Sequence, residues 1–172
     1  MAIVLAGGAS RRFGRRDKLR AMLGGRPLLA HAIGRARASG SGRVIVVARR
    51  TAGLGESLRA ALGRVRPIER ELLLFLGDMP LAAAPRGLRL RPGRDAARPA
   101  VGGRPGHPVL VRTTVARGAL RPGDRGLALD PARLGLVRGT AGNALDVDTV
   151  AALARLRRRI AGAGGALRLL NR

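Results

Sequence analysis

Residues 3–18 read IVLAGGASRRFGRRDK, and the rest of the chain is best read outward from them. Residues 2–5 are apolar without interruption, as in a strand buried on both faces, and they run into the paired glycines Gly7 and Gly8. A serine, four arginines and an aspartate follow before Lys18, the one lysine among 34 basic residues. In parallel α/β sheets ligands bind where strands end. Glycines there let backbone N–H groups approach phosphate oxygens, which a nearby cation neutralises. The stretch is no Walker A loop, since no GK[ST] closes it. It is not G-x-G-x-x-G either, because its glycines stand at 7, 8 and 14. Taken alone it also fits an ordinary glycine turn flanked by surface arginines.

Further along, periodicity predicts a helix over 27–38 (PLLAHAIGRARA), with Pro27 suited to a first turn. A β-branched strand over 43–48 (RVIVVA) is expected to be buried on both faces. A helix is predicted over 56–65 and an apolar strand over 72–76 (LLLFL), stopping at Gly77-Asp78. Short strands are predicted at 109–111 and 134–137. A helix is predicted over 149–160, with Val150, Leu153, Ala154 and Leu156 on one face. Residues 85–106, rich in Pro, Gly and Arg, read as loops with at most a short helix. The alternation of buried strands and helices predicts an α/β fold with a mostly parallel sheet. We expect one domain over 1–160 and a weakly specified tail over 161–172.

Composition narrows the function classes. With 46% hydrophobic residues the 172-residue chain can collapse, and with two Phe and no Trp or Tyr its core must be aliphatic. The absence of cysteine excludes disulfides, thiolate nucleophiles and thiolate-bound zinc. The first apolar run is too short for a secretory h-region, and no stretch is long enough to span a membrane, so a soluble, cytoplasmic protein is expected. The net charge of +24 is spread along the whole chain rather than gathered in a tail. Abundant Arg, Ala, Gly, Leu and Pro with scarce Lys point to biased coding, so nonspecific adhesion of nucleic acid is expected whether or not the charge is functional.

Four more stretches carry chemistry. LLLFLGDMP (72–80) sends a strand into Asp78, a hard oxygen ligand at the carboxyl edge of a sheet, suited to Mg²⁺ beside substrate phosphates; it also fits a plain strand-end turn. NALDVDT (143–149) places Asp146 and Asp148 two apart, on one face if extended, although either could cap the last helix instead. GGRPGHPVLV (102–111) fixes a tight turn with Gly106 and Pro108 around His107, which is either structural or a pocket residue. In GLGESLRAAL (53–62), Glu56 and Ser57 either start a helix or present Ser57 to a ligand.

LAGGASRRFGRRDK resembles the L-A-G-G-x-S-x-R-M-G-x-x-D-K signature of the MobA-like NTP transferases, the molybdenum cofactor nucleotidyltransferases, with Phe13 where Met is usual. GDMP is similar to the family's G-D-x-P. GRPGHPVL and GDRG (123–126) resemble segments of its molybdopterin cytidylyltransferase-like branch, and DVDT resembles the start of that branch's D-x-D-T-P-E-D without its proline and acids. The resemblance implies a Rossmann-like three-layer nucleotidyltransferase (GT-A-like) fold. It also implies a Mg²⁺-dependent reaction moving a nucleoside monophosphate from an NTP, CTP before GTP, to a phosphorylated acceptor. Molybdopterin is the first candidate for that acceptor.

By the same resemblance Leu5, Ala6, Gly7, Gly8 and Ser10 line the nucleotide with Ser57. Arg12 and Lys18 meet its phosphates, with Asp78 completing the catalytic set. Asp78 and Asp148, with Asp146 the alternative, hold the metal. Gly106, His107 and Asp124 face the acceptor. Relative to the family pattern about twenty residues, a helix and a strand, are missing between Ala48 and Gly53. A degenerate, non-catalytic member is therefore one alternative reading and a basic nucleic-acid binder another. A molybdoenzyme partner is a third expectation, on which the residues themselves are silent.

Overall fold

The computed structural model describes residues 1–7, 13, 17–48 and 53–162. Strands β1 (Ala2–Leu5), β4 (Val44–Val47) and β5 (Glu71–Leu76) run parallel, with β1 in the middle. Strand β8 (Val109–Arg112) lies antiparallel on β5, and β6 (Ala96–Val101) lies antiparallel on β8. Next to β6 come β9 (Leu134–Arg138), parallel to it, and the two-residue β7 (Arg104–Pro105), its hairpin partner. Five strands of this sheet therefore point one way, and their carboxyl ends share one edge. Strands β2 (Met22–Leu23) and β3 (Arg26–Pro27) form a separate small hairpin.

Helices cover both faces. On one, Ile3, Leu5, Leu72, Leu74, Val109 and Val111 pack under α2 (Leu54–Leu62) and α3 (Thr113–Gly118). On the other, Ala2, Val4, Leu73 and Phe75 pack under α1 (Leu28–Arg37). β1 and residues 72–76 of β5 are apolar throughout because both pleat directions are covered there, as parallel sheets require. A third cluster (Phe13, Leu23, Leu28, Val147, Leu153 and Leu156) seats α4 (Val150–Gly162). The Arg157 guanidinium ties that helix down, donating to the Met22 carbonyl at 2.6 and 3.1 Å. No helix among the described residues is long and apolar enough to cross a membrane.

Three expectations need correction. β4 is an edge strand, so Val44 and Val46 stay half-buried and only Ile45 and Val47 are buried. Val150 is 60% exposed, because α4 presents Leu153 and Leu156 to the third cluster and begins beyond its rim. Residues 85–106 are not all loop. AARPAV forms β6, an interior strand between β8 and β9. Its small residues and Pro99 carry little strand propensity, and the pairing comes from its neighbours. Pro99 has no N–H to give the ladder, but its carbonyl accepts from Gly106 N at 2.7 Å.

Candidate active site

The registers bring Leu5 and Leu76 side by side, so the chain leaves β1 and β5 at adjacent points of the carboxyl edge. Two backbone bonds extend the match past the strand ends: Ala6 N donates to the Val47 carbonyl and Gly77 N to that of Leu5, both at 2.9 Å. The packing at Gly77 is tight, since a Cβ there would stand 3.3 Å from Leu5 O, Leu19 Cδ2 and Leu29 Cδ1. The next residue is Asp78.

Lys18 reaches this point from the other side. The Asp17 carboxylate accepts from Leu19 N at 3.0 Å and caps the short turn Lys18–Arg20. Leu19 is buried beneath the turn, and Lys18 faces the sheet edge. Its ammonium donates to Asp78 Oδ2 and to Asp148 Oδ1, each at 2.6 Å. Burial works against the charged lysine, but the two carboxylates outweigh it and hold the ammonium above its ordinary range.

Asp148 arrives by a third route. Val147 N donates to the Asp78 carbonyl at 3.0 Å, and the Val147 side chain is fully buried in the cluster under α4. That anchor orients the D-V-D segment, with valine in and the aspartates out. Only Asp148 meets Lys18. Asp146 lies at the surface to one side, where partial desolvation and the charges of Asp148 and Asp78 lift its carboxyl above the usual range. Among the described residues no three acidic or histidine side chains converge as a ready metal site. The pair is Asp78 with Asp148.

The G-H-P turn sits farther along the same edge. Gly106 packs so closely on Asn143 that a Cβ would stand 2.2 Å from its carbonyl oxygen. His107 N donates to the Asn143 carbonyl at 2.8 Å. Asn143, 1% exposed, returns two bonds from Nδ2, to the carbonyls of Ala83 and His107 at 2.7 Å each. Its Oδ1 accepts from Thr140 N and Oγ1. Asn143 thus fastens the turn after β5, the G-H-P turn and the segment leading to Asp148. It was not singled out from the sequence, although the T-x-x-N spacing of a capping box at 140–143 was legible. Arg98, on β6, was missed too. It donates from Nε to the Gly106 carbonyl at 2.8 Å and carries no motif.

Two other stretches singled out in the sequence pack on each other. Ser57 is buried in α2, and its hydroxyl donates to the Gly53 carbonyl one turn back, the helix-start alternative. The GDRG turn (Gly123–Arg125 and Gly126) packs on the start of α2: Gly123 N donates to Glu56 Oε1 at 3.1 Å, and Cβ atoms at Gly53 or Gly55 would strike the 121–123 backbone. Two motifs expected on opposite sides of the substrate thus meet each other. Gly8, Ser10, Arg12 and the Asp124 side chain lie outside the described residues.

Comparison with known proteins bears on the family and the fold. The sequence profile of the MobA-like NTP transferase domain matches residues 2–129. Among solved structures, a homologue of the Mycobacterium tuberculosis protein Rv0371c from Mycobacterium sp. strain JC1 superposes with TM-score 0.79 at 29% identity. The match covers 94% of this chain and 96% of that one. Rv0371c of M. tuberculosis H37Rv, solved as a complex with manganese, matches with TM-score 0.71 at 27% identity over 91% and 97% of the two chains. A nucleotidyl transferase from Methanothermobacter shares the fold, with TM-score 0.75 at 18% identity over 94% and 97%. Near-complete coverage in both directions means that the short link between β4 and α2 is compatible with the whole fold. No curated protein matches the sequence.

Proposed function

From the chain's membership of the MobA-like NTP transferase family, we propose that it transfers a nucleoside monophosphate from an NTP to a phosphorylated acceptor, releasing pyrophosphate. The observation that carries this reading is the Lys18 ammonium held at 2.6 Å from both Asp78 and Asp148. Two carboxylates already gathered around one cation, at the sheet edge where Ala6 and Gly77 emerge, are the donor set that a hard divalent ion requires. The manganese in the Rv0371c complex supports the same reading, with Mg²⁺ proposed here. Asp78 and Asp148 would hold the ion, and Asp146 stands beside them. When bound, it neutralises the charge on the triphosphate and on the leaving pyrophosphate.

The chain's own part is positioning. Leu5 ends β1 and Ala6 and Gly7 follow it at the sheet edge, and with Gly8 and Ser10 their backbone would hold the nucleoside side of the donor. Lys18, released from the carboxylates, would turn to the phosphates beside Arg12. An acceptor phosphate oxygen attacks the α-phosphorus in line, forming a new P–O bond as the bond to the β-phosphate oxygen breaks. The acceptor is itself the nucleophile, so none is needed from the protein. The G-H-P turn, with Gly106 and His107, would face the acceptor. Its resemblance to the cytidylyltransferase branch favours CTP over GTP and molybdopterin as acceptor. The buried state of Phe13 and Phe75 disfavours the nucleic-acid reading, because both aromatic rings are spent in the core.

Calorimetry of CTP, GTP and ATP with Mg²⁺ at about 0.3 M salt, where bulk charge is screened, tests the proposal. Saturable binding of one nucleotide, weakened at least about tenfold in Asp78→Ala, is the expected result. A folded protein that binds no triphosphate would refute it.

A further inference from the structure

Arg98 and His107 form a second polar cluster at the catalytic edge. β8 runs antiparallel to β5 with Val109 opposite Leu74, so the chain enters β8, through His107, from the edge where β5 delivers Asp78. β6 pairs Ala97 with Leu110, and Arg98 is its next residue toward that same edge. The two side chains meet around Gly106, whose carbonyl takes the Arg98 Nε–H.

Both are incompletely satisfied. Arg98 is half-buried, and among the described residues it makes this one hydrogen bond, to a neutral carbonyl, with no carboxylate on its guanidinium. The ion pairs among the described residues are Lys18 with Asp78 and Asp148, Arg43 with Glu69, and Arg133 with Asp95; Arg98 belongs to none. His107 Nδ1 is buried and has no hydrogen-bond partner among the described residues. Burial, with the Arg98 charge added, outweighs a hydrogen bond of the ring to the Leu74 backbone and pushes the His107 imidazole down to about 4, and burial also holds the Arg98 guanidinium below its usual range. A desolvated cation beside an unused ring nitrogen is costly unless something negative shares the space. The scaffold around them is rigid, because Asn143 bonds the His107 carbonyl and leaves no room for a Cβ at Gly106.

We propose that Arg98 and His107 bind an anionic oxygen group, a phosphate or phosphate ester, and thereby seat the charged end of the acceptor. The guanidinium would give its two terminal nitrogens to the anion while Nε keeps Gly106, and His107, whose ring also bonds the Leu74 backbone, would take up a proton at Nδ1 to donate to the anion. The assignment of that anion to the acceptor rests on the transferase reading; the existence of the anion site does not.

The chain has two histidines, which makes the test direct. His31 is buried on α1 with its Nε2 at 2.8 Å from the Leu23 carbonyl, and it serves as an internal reference. Inorganic phosphate is titrated into ¹⁵N-labelled protein at about 0.3 M NaCl and neutral pH, and the imidazole ring ¹H–¹⁵N correlations are followed. The expected result is saturable movement of the His107 signals with His31 fixed. The apparent affinity should fall about tenfold or more in Arg98→Met and partly recover in Arg98→Lys. A His107 signal that stays still, or moves equally in parent and Arg98→Met, overturns the proposal. Should Arg98→Met fail to fold, Arg98→Lys with His107→Gln, followed by phosphorus line broadening, decides on the same terms. Asp78→Ala separates the two readings. Phosphate response kept while no nucleotide binds to the parent leaves the anion site standing and removes the transferase. Nucleotide binding without a phosphate response does the reverse.

Discussion

Lys18 holds together two carboxylates that would otherwise repel. Replacing it in Lys18→Met leaves Asp78 and Asp148 facing each other at the end of β5, and both sit partly in solvent, which moderates the penalty. A loss of about 1–2 kcal/mol at pH 7, read by urea unfolding, is expected. The Lys18 contribution belongs to the charged lysine, whose folded range is raised, so it persists through neutral pH and fades only above the ordinary lysine range. His107 behaves in the opposite sense. Its imidazole is pushed down to about 4 in the fold from an ordinary 6.5, so between those values the unfolded chain takes up the proton first. Stability should therefore decline as pH falls through that window, by up to about 3 kcal/mol from this residue. Thermal melts of parent and His107→Gln at pH 7 and pH 4 should show a smaller pH difference in the variant; equal differences would refute the argument. Lys18 and Asp78 were readable from sequence because each closes a run of ordered motif positions. Asn143's bonds to Ala83 and His107 were not, because they join loops far apart in the chain, and Arg98 was not, because its role depends on β6, a strand without a sequence signature.

The elements divide in the same way. β1, β5, α1 and α2 were legible because buried strands are apolar at every position and helices repeat at 3.6. β6 was hidden. Its AARPAV has no alternation and a single branched residue, Val101, and its place in the sheet is set by β8 and β9. The contact between the GDRG turn and α2 was hidden too, since it depends on close backbone approach. A Cβ on Gly55 would stand 1.9 Å from the Arg121 carbonyl oxygen, whereas one on Gly34 of α1 would meet nothing within 4 Å. Gly55→Ala must push the 121–126 segment off α2 and should cost about 2–4 kcal/mol. Gly34→Ala should stabilise by about 0.5–1 kcal/mol through reduced chain entropy. Melting temperatures moving in opposite directions, by about 2–4 °C per kcal/mol, would verify the packing; a neutral Gly55→Ala would contradict it.

At the scale of the whole molecule the question is what +24 charges do. Three of the ten acidic residues, Asp78, Asp146 and Asp148, gather at one edge of the sheet, while the basic residues are spread along the sequence. The site is therefore a local exception to the molecule's field. On the proposed function it would draw a metal, and the field around it attracts anything with phosphates, substrate or RNA alike. The two attractions differ in their dependence on salt. RNA held by dispersed arginines binds by releasing counterions, and with about five phosphate contacts its affinity should fall roughly fifty-fold between about 0.1 and 0.3 M salt. Stacking would blunt that fall, but both phenylalanines are buried. A triphosphate held through a metal, Lys18 and strand-end backbone is bound at close quarters, where screening is weaker, and should lose only a few-fold. Fluorescence anisotropy of an oligouridylate, run beside nucleotide calorimetry over the same salt series, separates the two slopes. Parallel slopes would mean that nucleotide is captured by the general field and that the Asp78–Lys18–Asp148 arrangement confers no site of its own. Divergent slopes would mean that the charge excess is incidental to the chemistry at the end of β5.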